Sequence, residues 1–169
     1  QIQAYVEEAL CTTDLSQLAS AYPLSLSRGQ KQRLAIASAL AMQPKMLILD
    51  EPTSGQDARE REHILQLLAK LNTQGKTIVL ITHDMDALAN YAQRVIVMDQ
   101  GHKAFDGTTT ELFCDNRLKQ WGLSKPVTLE ISGALAAYSI QQTAVLNQLI
   151  TQLSIRLRRN SLAETSTFN

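Results

Sequence analysis

The sequence lacks an excess of charge of either sign: Lys and Arg number 16, and so do Asp and Glu. Without an overall positive field the chain is poorly suited to hold a polyanion, and a nucleic-acid partner is not expected. Long apolar runs are missing as well. Runs such as Met46 to Leu49 and Ile78 to Ile81 are strand-sized, far below the roughly 20 residues that a bilayer-spanning helix requires. Only two cysteines occur, Cys11 and Cys114, with no Cys-x-x-Cys spacing and no histidine at ligand distance. Neither a zinc site nor a disulfide framework is indicated, and both thiols are expected to be buried spectators. Gln1 opens the sequence without Met, a basic segment or an apolar leader, which reads as a fragment with no secretory signal.

What is present suits one domain or slightly more: 169 residues, 44% hydrophobic and 19% charged, enough to bury about two-thirds of the unfolded surface. Gln1 to Ala21 reads as short helices, with Tyr5, Val6 and Leu10 on one side and Leu15 and Leu18 continuing the pattern, until Pro23 interrupts. Ser27 to Met42 reads as a helix with Ser27 as N-cap and Leu34, Ala37, Leu40 and Ala41 at helical spacing. Pro44 ends it by pushing Gln43 out of the α region. Met46 to Leu49 is expected to be a strand buried on both faces, and it stops abruptly at Asp50-Glu51-Pro52-Thr53. Ala58 to Asn72 is amphipathic through Ile64, Leu65, Leu67, Leu68 and Leu71, Gly75 follows as a C-terminal cap, and Thr77 to Thr82 reads as a second buried strand. Strand, helix and strand in this order predict parallel pairing, with ligands beyond the carboxyl ends of the strands. Asp50, Glu51 and His83 lie at that edge. His63 and His102 read as surface residues.

The remainder predicts a helix over 84–91, a hairpin from Val95–Met98 and Lys103–Phe105 around Asp99-Gln100-Gly101, and a helix opened by a Thr108/Glu111 capping box. Gly122 to Gly133 reads as irregular. Beyond Ala134, Leu146, Leu149, Ile150, Leu153 and Leu157 form a helical stripe ending in Arg156, Arg158 and Arg159, a separate element suited to packing on the domain or a partner helix, with an interfacial membrane helix as the alternative.

Two adjacent carboxylates at the end of an apolar strand are costly in a low-dielectric setting unless a cation and a polar substrate compensate them. Magnesium with a nucleoside triphosphate supplies both. In such a site Asp50 would hold the metal and Glu51 would orient and deprotonate the attacking water, while His83 could hydrogen-bond the terminal phosphate. Leu26-Ser27-Arg28-Gly29-Gln30 adds a different part, since the free N–H groups and positive dipole end of a helix N-terminus attract an anion.

These motifs, in the order Leu26-Ser27-Arg28-Gly29-Gln30-Lys31-Gln32-Arg33, Leu47-Ile48-Leu49-Asp50-Glu51-Pro52-Thr53-Ser54-Gly55-Gln56-Asp57 and Ile81-Thr82-His83-Asp84, resemble the ATP-binding subunit of ABC transporters. The resemblance covers about Tyr5 to Leu112. It implies an α/β, P-loop NTPase-like fold: a partial RecA-like core of parallel strands and helices, part of the helical subdomain, and a C-terminal helical tail. By the same resemblance, residues 1–115 are the C-terminal part of the ATPase domain, with 1–43 the helical subdomain and signature helix and 44–107 the core carrying the Walker B strand, D-loop and switch histidine. Residues 116–169 would be a C-terminal helical extension. Leu26 to Gln30 take the place of the signature motif, Asp50 of the Walker B metal ligand, Glu51 of the catalytic glutamate, Ser54, Gly55, Gln56 and Asp57 of the D-loop, and His83 of the switch histidine.

In that family two such domains meet head to tail around two ATP molecules. Asp50, Glu51 and His83 would serve the chain's own Mg2+-ATP, and Ser27, Arg28, Gly29 and Gln30 the nucleotide held by a second protomer. A phosphate-cradling loop, G-x-x-x-x-G-K-[ST], is not found: the only Gly-Lys-Thr, Gly75-Lys76-Thr77, has Lys70 in place of the first glycine and a strand after it. The reading is therefore a fragment lacking Walker A and inactive alone; the alternative is a degenerate subunit. Arg28 replaces the family's more frequent glycine, tolerable if the position is helical. The motifs look most like the energy-coupling factor type, which implies an ATPase powering import of a vitamin or trace metal from the cytoplasmic face of the membrane, bound to transmembrane subunits. The alternatives are the ATPase of another ABC importer or exporter, and a non-catalytic interaction or regulatory module.

Overall fold

The computed structural model describes residues 2–136, so the expected stripe from Leu146 to Leu157 lies outside the described residues. The chain divides into two compact units, Gln1–Ser124 and Lys125–Asn169.

In the first unit, α1 (Ile2–Thr12) is followed by a 3-10 turn at Ser16–Leu18, and a second 3-10 turn, Pro23–Ser25, leads to α2 (Arg28–Leu40). Helix α2 stops two residues short of Met42, and Gln43, before Pro44, does leave the α region, into the left-handed one at φ 51°. Its buried face is Gly29, Arg33, Ile36, Ala37 and Leu40. Arg33 is thus turned inward and Leu34 is only partly buried, a correction to the apolar spacing, because an ionic partner awaits the guanidinium inside.

Strands β1 (Met46–Asp50) and β2 (Thr77–Ile81) pair in parallel, from Met46 opposite Thr77 to Asp50 opposite Ile81, with α3 (Ala58–Thr73) as the crossover. The expected stripe of α3 is buried throughout. Ile64, Leu67, Leu68 and Leu71 pack with Ala9, Ile36, Ala37, Leu40 and Leu47 into one core, against which Leu49, Ile78 and Leu80 lie. Each such aliphatic side chain contributes about 1.5–3 kcal/mol when buried. The strands are not buried on both faces, however: Ile48 is 66% exposed and Ile81 51%, with Met46 and Val79 also open. The helices cover one face of this pair, and among the described residues nothing covers the other.

Helix α4 (Met85–Tyr91) precedes the antiparallel hairpin β3 (Val95–Asp99) and β4 (His102–Gly107), and α5 (Thr109–Cys114) follows. Gln100 and Gly101 both have positive φ, 47° and 78°, the condition for the turn that matches hairpin twist. The Thr108/Glu111 capping box forms as the sequence suggests. Leu88, Val95, Val97, Leu112, Phe113 and Leu118 make a second core, with Trp121 at its margin. Both cysteines are exposed rather than buried; a small thiol on a short helix carries too little apolar area to decide which face turns inward.

In the second unit α6 (Val127–Ala136) corrects the irregular reading of Gly122 to Gly133 over its last seven residues. One glycine, Gly133, costs a helix only about 1 kcal/mol, and the Pro126 carbonyl accepts the amides of Leu129 and Glu130 at its start. No described helix is long and apolar enough to cross a membrane.

Candidate functional site

The parallel ladder runs one step past the last residue of β1, where the Glu51 amide donates to the Ile81 carbonyl at 2.9 Å. That bond brings Glu51 level with the end of β2, in a turn anchored by fully buried Pro52 and by Thr53, 8% exposed. Glu51 itself has φ 45°, a left-handed conformation that costs a non-glycine residue roughly 1–2 kcal/mol and that gathers at functional positions. Its Oε1 accepts two bonds from His83, one from the backbone N–H at 3.0 Å and one from Nδ1 at 2.6 Å. The hydrogen bond to Glu51, followed by the charge of Glu51, raises the His83 pKa above its ordinary value.

Asp50 is exposed at the end of β1, and among the described residues no hydrogen bond or ion pair reaches its carboxylate. Among the described residues no three metal-ligating side chains converge. A free carboxylate at a strand end nevertheless fits magnesium, which keeps several waters and takes one or two carboxylates together with substrate phosphates.

A second group of expected residues assembles at the start of α2. Ser27 Oγ accepts from the Gln30 amide at 3.2 Å while Gln30 Oε1 accepts from the Ser27 amide at 2.9 Å. This capping box leaves the Arg28 and Gly29 amides as first-turn donors without intrahelical partners. Arg28 is the first helical residue, so no positive φ is demanded of it, and its guanidinium donates to the Ser54 carbonyl at 3.2 Å. Gly55, at φ 67°, lies under that guanidinium, which any Cβ there would strike. Gln56 donates its amide to Thr53, and Asp57 caps α3 by accepting from the Glu60 amide at 2.9 Å. Thus the expected residues form two associations, Glu51 with His83 beside Asp50, and Arg28 with the Ser54–Gly55 turn.

Sequence reasoning missed what holds the start of α2 in place. A Cβ on Gly29 would meet the Glu60 carboxylate, so the close approach this glycine allows is toward α3. Glu60 pairs with Arg33 at 2.5 Å; Arg33 also meets His63 Nδ1 at 3.0 Å, and His63 Nε2 meets Asp14 at 2.8 Å. His63 is therefore a link between three elements, not a bland surface residue. The one available signal was the Asp57-x-x-Glu60 spacing of a helix start. Gly75-Lys76-Thr77 forms no phosphate loop: Gly75 closes α3 at φ 91° and Lys76 Nζ donates to the Pro44 carbonyl at 3.2 Å before β2 begins.

Comparison with known proteins yields a family match and many relatives. The ABC transporter family profile matches residues 1–54. The energy-coupling factor transporter ATP-binding protein EcfA2 of Latilactobacillus sakei is 49% identical over 117 residues, covering 67% of this chain and 40% of the relative. The methionine import ATP-binding protein MetN of the same organism is 40% identical over 162 residues, covering 93% of this chain and 45% of the relative. Among solved structures, cbiO1 from Clostridium perfringens, part of the ABC transporter complex cbiONQ, superposes with a TM-score of 0.62 at 38% identity, covering 70% of this chain and 47% of that one. A dimeric bacterial ABC transporter cassette gives 0.55 at 38% identity, covering 63% and 46%. The chain spans between 22% and 48% of the length of the curated relatives it matches.

Proposed function

The chain carries part of an ABC transporter ATP-binding domain with a P-loop NTPase-like fold, and from that premise we propose that it supplies the hydrolytic edge of an ATPase that powers import. The observation that carries this reading is the Glu51–His83 contact at 2.6 Å beside an unpartnered Asp50, at the carboxyl edge of two parallel strands. Residues 1–115 are assigned to the ATPase domain, 1–43 as helical subdomain with signature helix and 44–107 as the Walker B, D-loop and histidine core; 116–169 are assigned as an extension. Residues 1–169 hold no phosphate-cradling Walker A sequence, and on this reading the open face of Met46, Ile48, Val79 and Ile81 is the surface against which the remaining part of a cassette would pack. The chain by itself is inactive.

Each residue then has a task. Asp50 would hold Mg2+, which when bound neutralises charge on the phosphates. Glu51 takes a proton from the attacking water: His83 occupies its Oε1, fixing the carboxylate and leaving Oε2 without a described hydrogen-bond donor. A base so positioned is worth about 10²–10⁴ in rate. The imidazole of His83, held at Nδ1 by Glu51, would hydrogen-bond the terminal phosphate of ATP through its other nitrogen. Ser27, Arg28, Gly29 and Gln30 close over the nucleotide of a second protomer, with Ser54, Gly55, Gln56 and Asp57 at the shared interface. Several charge-assisted bonds of about 1.5–3 kcal/mol, made only on closure, would couple dimerisation to ATP.

The energy-coupling factor relatives support an ATPase of that transporter type; uptake of a vitamin or trace metal by transmembrane partners at the cytoplasmic face is our proposal from the motif resemblance. The methionine importer at 40% identity favours a second reading, the ATPase of another ABC importer. Sedimentation of the natural protein with Mg2+-ATP tests the proposal: the Glu51→Gln form is expected to dimerise with ATP and Ser27→Ala to weaken this. Failure of ATP to change the association state would overturn it.

A further inference from the structure

Arg61, one turn into α3, plays no part in the motifs above, yet it makes a two-pronged bond to the residue after His83. Its Nε lies 2.5 Å from Asp84 Oδ2 and its Nη2 2.7 Å from Asp84 Oδ1, with Asp84 only 20% exposed. Paired bonds of this kind fix direction as well as distance, because the guanidinium fork matches the carboxylate plane.

Asp84 is held from other sides too. Its Oδ1 caps α4 by accepting from the Ala87 amide at 3.0 Å, and its own amide donates to Thr82 Oγ1 at 3.0 Å. The residue between these fixed points is His83, whose amide and Nδ1 both reach Glu51 Oε1. Meanwhile the Arg61 amide donates to the Asp57 carbonyl at 2.9 Å. A continuous set of bonds therefore runs from the cap of α3 through Arg61 and Asp84 to the His83–Glu51 contact.

We infer that Arg61 is a positioning residue that sets His83 on Glu51 by clamping the Asp84 carboxylate, so that the start of α3 and the hydrolytic edge keep one geometry. The inference rests on the ATPase reading for its consequence in turnover, but its geometric content can be tested separately. In the natural protein, Arg61→Ala is expected to lower kcat for Mg2+-ATP by about 10–100-fold, the scale of a misplaced catalytic group, with KM little changed. Arg61→Lys, which keeps the charge without the fork, should fall between. The imidazole resonances of His83 should move in Arg61→Ala toward those seen in Glu51→Gln, while a helix-capping role alone would lower the melting temperature and leave them in place. Unmoved His83 resonances in Arg61→Ala overturn the inference whatever the turnover. Moved resonances in a protein whose turnover survives Glu51→Gln would uphold the clamp and overturn the ATPase reading instead.

Discussion

At the edge of the β1–β2 pair and again around the β3–β4 hairpin, acidic side chains stand near a helix opened by a capping box. At the hairpin, Asp106 bonds Arg94 through both oxygens, at 2.8 and 2.9 Å, and Lys103 at 3.0 Å. Those bonds, that from Arg94 foremost, hold its pKa well below the usual carboxylate range. At the strand edge, Asp50 has no cationic partner among the described residues, and Glu51 sits at φ 45° against an imidazole. One region has satisfied its charges; the other keeps an unpartnered acid and a strained backbone, a combination that stability alone does not favour.

The sharpest way to break that contrast is to set stability against turnover at Glu51. Glu51→Gly and Glu51→Ala should both lose about 10²–10⁴ of the ATP turnover of the natural protein. The glycine form should nevertheless be more stable than the alanine form by about 1 kcal/mol, since glycine accepts positive φ freely; equal stabilities by denaturant unfolding would remove the strain from the account. The two capping boxes give the next effect. Ser27→Ala and Thr108→Ala should each cost about 1 kcal/mol of stability, but only Ser27→Ala should also weaken ATP-driven dimerisation, as sedimentation would show.

Smaller effects follow from the charges. NMR titration should place the His83 pKa above its ordinary 6.5 and return it toward that value in Glu51→Gln. Because the raised value belongs to the folded state, the stability from this contact is fully present below about 6.5 and is lost as pH rises through the raised value. Asp106→Asn should leave turnover intact and lower the melting temperature slightly at low salt, a difference that vanishes in high salt, where exposed pairs are screened.

Much of this was legible in the residues. The stripe of α3 has enough aliphatic weight to fix its buried face, and Ser27 and Thr108 carry their capping partners three residues on. The parallel pairing followed from strand, helix and strand in succession. What periodicity could not show is ionic burial: Arg33 turns inward because Glu60 and His63, some thirty residues away in sequence, meet it there. The open face of β1 and β2 was hidden for a related reason, since an apolar run reports what a strand can bury and not what covers it. The Glu51–His83 contact was foreseen as proximity at one edge; the left-handed turn that aims Glu51 leaves no mark on a sequence without glycine at that position.

The central claim, that the acid pair ending β1 is a hydrolytic centre, is tested most directly by single-turnover hydrolysis of Mg2+-ATP by the natural protein and its Glu51→Gln form, with nucleotide binding measured on both. The account predicts retained binding and a loss of hydrolysis of about 10²–10⁴-fold. Equal hydrolysis in the two proteins would contradict it.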